Sequence, residues 1–245
     1  LSQYQSDLVE AGYTPNTINI RIAAIRALVK FAFKRGFCHW LIEDLKALEA
    51  ENYRDTSGIA KDKYAEILSD INTDTISGKR DYAIMRLLWD CALRRAEIIN
   101  LNIADFNAGD CTLRIRGKGQ LSKQLIHLAP KTVEAIKQWL AVYSYPLPNQ
   151  PLFISLASNT NGNRLTGKSI YCMVRKYSDK VLVDKVLSPH RVRHSSITAV
   201  LDASNGNVRM AQKLSRHKNL DVLTRYDDNR VALQKKAVHL LADLV

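Results

Sequence analysis

The stretch that most constrains this chain runs from Leu187 to Tyr226, where three histidines, five arginines and a tyrosine fall within forty residues. Ser188 followed by Pro189 predicts a helix start, because serine caps free N–H groups and proline presets φ in the first turn. On that helix His190 and Arg193 lie three residues apart and share a face. The N-terminus of a helix favours an anion. The stretch therefore predicts a phosphate site.

A metal site is the alternative interpretation of the two neighbouring histidines. His190 and His194 have the i, i+4 spacing of a zinc pair. Arg191 stands where a metalloprotease carries its glutamate, and Arg193 between the histidines would repel a cation. We therefore expect no metal and no other cofactor.

The composition favours a polyanionic partner. Lys+Arg 36 against Asp+Glu 24 gives a formal net charge of +12 and a pI of about 9.6. Such a balance is typical of proteins that bind DNA or RNA, although charge alone also fits an ordinary basic protein. The sequence has no run of about 18 apolar residues that could span a membrane, and no secretory pattern at its start. We expect a cytoplasmic protein, because the four cysteines are widely spaced, as reduced thiols would be: Cys38, Cys91, Cys111 and Cys172.

Residues Leu1 to Leu48 are predicted to be helical throughout. Thr14 and Pro15 start the clearest helix, and Gly36 ends it. Its apolar positions have helical spacing: Ile18, Ile22, Ile25, Leu28 and Val29. Its other side is basic: Arg21, Arg26, Lys30, Lys34 and Arg35. That side is either an ordinary solvated face or a surface that binds DNA phosphates.

The polar segment from Glu49 to Gly58 breaks this periodicity and predicts an interdomain linker. Beyond it, apolar spacing predicts four further helices, at Lys61–Asp70, Arg80–Ala92, Thr132–Val142 and Lys168–Lys180. Alternation in Cys111–Arg116 and Lys123–Leu128, on either side of a turn at Gly117–Gly119, predicts a β-hairpin. The predicted fold class is mainly α with a small β-hairpin or sheet (α+β).

Two ordered motifs carry a resemblance to a known family. His190-x-x-Arg193-His194, then Leu214-x-x-His217 and, nine residues later, Tyr226 resemble the C-terminal signature of tyrosine recombinases, the phage-integrase and Xer family. Upstream, the segment from Ala92 to Ile98 resembles the family's G-L-R-x-S-E-L segment. The resemblance covers nearly the whole chain.

The resemblance implies a domain organisation. Residues 1–48 would form a helical core-binding domain that clamps DNA, and we expect its first helix or two to precede Leu1. Residues 49–58 would be the linker, and residues 59–245 the catalytic domain with a tail helix at 229–245. That tail would pack either on its own catalytic domain or into a neighbouring protomer.

The resemblance also implies a role for each site residue. The catalytic set would be Arg94, Lys118, His190, Arg193, His217 and Tyr226. Two arginines would bind the scissile phosphate, Tyr226 would attack it, His190 would accept the tyrosine proton and His217 would donate a hydrogen bond. Lys118, at the hairpin tip, would protonate the leaving 5′ oxygen. Glu97 would orient a basic group, unless it only forms a surface ion pair with Arg94. Further DNA contacts are expected from Arg21, Arg26, Lys30, Arg116, Arg191 and Arg216.

The chain departs from the family pattern at two glycines. Ala92 replaces the first, and the altered residues after it leave the choice between Arg94 and Arg95 open. Ser215-Arg216 stands where the family usually has glycine before the histidine, which leaves the turn before His217 undetermined.

The implied activity is site-specific recombination of double-stranded DNA through a 3′-phosphotyrosyl intermediate, without ATP. The enzyme would act on the nucleoid as a homo-tetramer on two duplexes, with a dimer on each site. Two alternatives remain at this point: a type IB topoisomerase and a DNA-binding protein that has lost catalysis.

Overall fold

A computed structural model describes residues 1–42, 45–49, 58–117, 119–143, 147–181, 186–217 and 242. The chain divides into two compact units, Leu1–Arg54 and Asp55–Val245. Both contain helices, and the second also contains a small antiparallel sheet, so the predicted mainly α fold with a small sheet is confirmed. Within the described ranges, no helix is both long and apolar enough to cross a membrane. Most of the predicted linker, residues 50–57, lies outside the described residues.

The first unit is built on helices α1 (Ser2–Glu10) and α2 (Pro15–Lys34). Thr14 caps α2 as predicted, because its Oγ1 accepts the Thr17 N–H at 3.4 Å. The small core consists of Leu8, Ile18 and Ile22, with Leu45 and Leu48 packed against it.

The prediction of helix throughout residues 1–48 is wrong. Gly36 has a φ of 75°, a left-handed conformation that ends α2, and the described residues from there to Leu48 contain no helix. The segment is held instead by Asn19, whose amide donates to the Leu48 carbonyl at 2.8 Å and accepts the Leu48 N–H at 2.9 Å. Leu28, predicted on the apolar face, is 67% exposed because the core lies against the other turns of α2.

The second unit packs its helices around one large apolar core. They are α3 (Lys61–Ser69), α4 (Ile76–Asp90), α5 (Arg95–Ile99), α6 (Pro130–Ala141), α7 (Gly167–Lys180), α8 (Pro189–Ala203) and α9 (Val208–Ser215). Helix α4 begins four residues before the predicted Arg80, since Thr75 caps it by accepting the Gly78 N–H at 3.0 Å. It contacts both α6 and α8, so it is buried on more than one side.

The sheet has three antiparallel strands in the order β1 (Phe106–Asn107), β2 (Thr112–Ile115) and β3 (Gln124–His127). Strands β2 and β3 form the predicted hairpin, with Leu113 opposite Ile126. Strand β1 was not predicted, because two residues are too few to show alternation.

A second, smaller apolar cluster joins α8 and α9 to the end of α4. Its buried members are Ala92, Ile197, Leu201 and Ala211. Helix α8 starts as predicted, since Ser188 Oγ accepts the Arg191 N–H at 3.2 Å. Ser196 Oγ also donates to the Trp89 carbonyl at 2.5 Å. These contacts fix the C-terminal helices against the turn that follows α4.

Gly58 lies against the middle of α8. Its φ is 53°, and the next residue, Ile59, donates its N–H to Ser195 Oγ at 2.8 Å. A Cβ atom on Gly58 would lie 2.3 Å from Ser195 Oγ and 2.7 Å from its Cα. No larger residue fits without moving the chain or the helix.

We therefore expect Gly58→Ala to lower the free energy of unfolding by about 3 kcal/mol, the sum of a left-handed alanine and an overpacked contact. Gly162→Ala is the matched control: its φ is 82° with no atom within 4 Å of the added Cβ, so it should cost only about 1 kcal/mol. Urea unfolding of both variants measures the difference. Equal losses would mean that the close approach to Ser195 has no energetic weight.

Candidate active site

Arg94 and Glu97 form a fixed pair at the start of α5. The Glu97 side chain is 2% exposed; Oε2 accepts the Arg94 backbone N–H at 2.8 Å, and Oε1 accepts from Arg94 Nη1 at 2.8 Å. A carboxylate that caps a helix and also binds a guanidinium holds both in one geometry. Because Glu97 is buried, the pair is not an ordinary surface ion pair. Arg95 is exposed and lies beside Gly167.

Arg193 is buried beneath the site, with 2% of its surface exposed. Its Nη1 donates to the Ala92 carbonyl, and its Nη2 donates to the Ser215 carbonyl and lies 3.3 Å from His217 Nε2. Both carbonyls belong to the C-terminal ends of helices, where a cation is favourable. Arg193 therefore connects α8 to the ends of α4 and α9.

Arg216 is also largely enclosed by protein, and its contact with DNA stays a prediction. Its side chain is 9% exposed. Nη1 donates to the carbonyls of Cys91 at 3.0 Å and Leu214 at 2.6 Å, while Nη2 donates to Ala92 O at 3.2 Å and Glu97 Oε2 at 3.0 Å. The side chain turns inward because these four acceptors surround it. Arg216 is a structural partner of Glu97.

Two turns around the site have left-handed backbone at residues other than glycine. Ala92 has a φ of 46° after α4, and Arg216 has a φ of 57° after α9. These are the positions at which the sequence lacks the family's glycines. Left-handed backbone costs such residues about 1–2 kcal/mol, which the hydrogen bonds to Ala92 O and from Arg216 help to offset. The turn before His217 therefore has the conformation that glycine favours.

His217 is neutral near pH 7 in this environment. Burial, followed by the positive charges of Arg193, Arg94 and Arg216, lowers its pKa from 6.5 to about 4. Arginine has no acceptor, so the contact with Arg193 assigns His217 Nε2 as the acceptor and places the proton on Nδ1. Nδ1 is buried and has no hydrogen-bond partner among the residues that the structure describes.

His190 and His194 interact directly along one face of α8. Their Nε2 atoms are 2.7 Å apart, and the rings are nearly perpendicular at 89°. Burial, followed by the charges of His190 and Arg193, lowers the pKa of His194 from 6.5 to about 4. In this contact one Nε2 atom donates to the other, and the tautomers of the two rings determine which one. Sequence reasoning placed His194 in the family signature and weighed it as a zinc ligand, but it did not predict this pairing; the i, i+4 spacing from His190 was the signal for it.

The remaining predicted residues are dispersed. Arg191 Nη1 donates to the Val186 carbonyl at 3.1 Å, and Arg116 is exposed beside the hairpin. In the first unit, Arg21 lies over the Tyr13 ring at 4.1 Å. Arg26 is half-buried there and Lys30 is exposed. Lys118, Tyr226 and the predicted tail helix at 229–245, apart from residue 242, lie outside the described residues. No three potential metal ligands come together in the described part of the chain.

The histidine pKa values predict a pH-dependent stability. Because the folded values are about 4 and the unfolded value is 6.5, the unfolded chain binds more protons between these limits. The free energy of unfolding should therefore fall as the pH is lowered from 6.5 to 4. Above pH 6.5 neither histidine should contribute to the pH dependence of that free energy. Thermal unfolding of a His194→Asn, His217→Asn double variant should show a weaker loss over this range than the unsubstituted chain. Parallel curves for the two proteins would contradict the assignment.

Comparison with known proteins shows the family of the chain. Residues 58–232 match the phage integrase family. A tyrosine recombinase of Synechocystis sp. is 47% identical over 243 residues, covering 99% of this chain and 78% of the relative. One from Synechococcus elongatus is 40% identical over 244 residues, covering 99% and 76%. The solved Tn1549 transposon integrase, in complex with a circular intermediate DNA, has the same fold, with a TM-score of 0.70 at 16% identity over 99% of this chain and 84% of that chain. The chain therefore belongs to the phage integrase family of tyrosine recombinases.

Proposed function

We propose that Arg94, Arg193 and His217 bind the scissile phosphate of a DNA strand and that Tyr226 attacks it. As a member of its family, the chain is a site-specific DNA recombinase. The observation that carries the assignment of the site is the convergence of two arginines on a neutral histidine whose buried Nδ1–H has no described partner. Such a group of donors matches a phosphate oxygen.

Arg94 supplies the accessible part of this positive site. Its side chain is 32% exposed, and only Nη1 is engaged by Glu97. Nε and Nη2 donate to no described residue, so this edge of the guanidinium can receive two phosphate oxygens. Attack on a phosphodiester adds negative charge to the non-bridging oxygens, and a planar fork stabilises that charge better than a point charge.

His217 adds a directed hydrogen bond. A buried N–H without a partner costs about 1–3 kcal/mol, and such groups call for an explanation. A phosphate oxygen at Nδ1 would supply the missing acceptor. Because the histidine is neutral, it contributes a hydrogen bond rather than a third positive charge.

The nucleophile and the proton carriers complete the mechanism. Tyr226 is a weak nucleophile until its proton leaves, and His190 is the proposed acceptor. Lys118 would protonate the leaving 5′ oxygen. The phosphotyrosyl bond keeps the energy of the bond that was broken, so rejoining needs no ATP. The roles of Tyr226 and Lys118 rest on the sequence pattern.

The assembly follows from the reaction. Exchange between two duplexes breaks four strands, which requires four tyrosines, so we propose a tetramer with a dimer on each site. The first unit would be the core-binding domain, with Arg21, Arg26 and Lys30 facing phosphates. The tail beyond Tyr226 would dock into a neighbouring protomer. An enzyme of this kind would work in the cytoplasm, on the nucleoid.

The two alternatives are not favoured. The similar proteins are named tyrosine recombinases, which argues against a topoisomerase. Loss of catalysis was suggested by the missing glycines alone, yet Ala92 and Arg216 keep left-handed turns.

Tyr226→Phe should abolish covalent capture of DNA and leave binding nearly intact, because only the nucleophilic oxygen is removed. The probe is a set of nicked duplexes carrying a site obtained by binding selection, with nicks stepped across it so that cleavage becomes irreversible. Adducts are counted on denaturing gels, and affinity is measured in parallel. A phenylalanine variant that still forms the adduct would rule out Tyr226.

Arg94→Ala should lower the single-turnover cleavage rate by about 10²–10³-fold, as removal of a transition-state donor does. Arg95→Ala is the matched control, since Arg95 is exposed and makes no described contact with Glu97. Its rate should stay within about threefold of the unsubstituted rate, by comparison with effects at residues outside the reaction. If Arg95→Ala abolished cleavage and Arg94→Ala did not, the phosphate-binding arginine would be Arg95.

A further inference from the structure

We infer that Arg216 is a positioning residue that holds the two phosphate-binding arginines, Arg94 and Arg193, in register with each other. The inference rests on the proposed function and goes beyond it, because the sequence pattern gives this position to glycine. Four hydrogen bonds of one guanidinium carry the argument.

The link to Arg94 passes through Glu97. Arg216 Nη2 donates to Oε2 at 3.0 Å, the same oxygen that accepts the Arg94 backbone N–H at 2.8 Å. The other oxygen, Oε1, is left to Arg94 Nη1 at 2.8 Å. A carboxylate held by three donors has one orientation, so Arg94 also has one.

The link to Arg193 passes through the Ala92 carbonyl. That oxygen accepts from Arg193 Nη1 and also from Arg216 Nη2, the latter at 3.2 Å. At the end of α9, Arg193 donates to the Ser215 carbonyl and Arg216 to the Leu214 carbonyl at 2.6 Å. The two guanidinium groups therefore share the same two helix ends, and a shift of one would shift the other.

Arg216 also sets the charge that Arg94 presents. Glu97 is buried between two guanidinium groups, so its single negative charge is divided between Arg94 and Arg216. Without Arg216, Glu97 and Arg94 would form a neutral pair, and less positive charge would face a phosphate. Both Nη atoms of Arg216 donate to protein acceptors, and the inference is that Arg216 acts on the phosphate through Arg94 and Arg193.

The test compares Arg216→Gly with Arg209→Ala, which removes an exposed arginine from α9, the helix that ends just before Arg216. Glycine accepts the left-handed backbone at this position, so the variant loses the guanidinium without added strain. Using the nicked duplexes described above, we expect Arg216→Gly to cleave about 10–100-fold more slowly, the loss that a small misplacement of reacting groups causes. Its affinity for DNA and the salt dependence of that affinity should match those of Arg209→Ala.

The alternative is that Arg216 contacts a phosphate directly. Affinity would then fall for all DNA sequences, and the slope of log affinity against log salt would decrease by about one. That result, or a cleavage rate equal to the unsubstituted rate, would overturn the inference. If the unsubstituted chain itself does not cleave, the proposed function fails instead.

A second substitution separates positioning through Glu97 from general destabilisation. Glu97→Gln alone should slow cleavage, but in the Arg216→Gly background it should raise the cleavage rate about tenfold, because the negative charge that neutralises Arg94 is removed. Purely additive losses would contradict the route through Glu97. Should Arg216→Gly fail to fold, Arg216→Lys is the substitute, because lysine keeps the charge without the planar fork. Its cleavage rate should lie below that of the unsubstituted protein and above the rate expected for Arg216→Gly.

Discussion

Two buried guanidinium groups, those of Arg193 and Arg216, hold the C-terminal ends of α4 and α9 together, and the geometry of the active site depends on this contact. Burial of a charge is costly unless acceptors surround it. Here the acceptors are helix-end carbonyls, which carry partial negative charge and lack partners within their own helices. The carbonyls and the Nη atoms thus satisfy each other, whereas Arg216 Nε has no hydrogen-bond partner among the described residues.

The same arrangement limits the charge of the site. Arginines surround His217 and His194, and burial together with that positive potential lowers the pKa of both histidines to about 4. The permanent charges of the site therefore lie on arginine, while the histidines remain neutral hydrogen-bonding groups near pH 7. Glu97 is the carboxylate that balances two of these arginines. The positive charge of the site is therefore confined to arginines whose positions are fixed by Glu97 and by helix-end carbonyls.

The two non-glycine turns indicate what this fold requires at the ends of α4 and α9. It requires the left-handed conformation, which Ala92 and Arg216 adopt. At Ala92 the side chain is small enough to join the apolar cluster of Ile197, Leu201 and Ala211. At Arg216 the side chain extends away from the turn and donates to Cys91, Ala92 and Glu97. A strained residue can therefore be kept where its side chain contributes contacts that glycine lacks.

The sequence by itself determined the features that depend on neighbouring residues. Caps such as Thr14 and Ser188, and the hairpin around residue 117, were predictable because their hydrogen bonds join residues close in the chain. The signature residues indicated the family because their order and spacing can be read directly from the sequence. The start of α4 was missed because Thr75 lies before the apolar repeat that was used to find the helix.

Only the tertiary structure decided where the arginine side chains go. Arg216 was predicted to face DNA, yet its partners Cys91 and Glu97 lie 125 and 119 residues away in the chain. The sequence also left open whether Arg94 or Arg95 pairs with Glu97, and in the structure Arg94 does. A long basic side chain has similar local preferences on the surface and in the interior. Its burial is decided by acceptors that come near only when distant segments pack together.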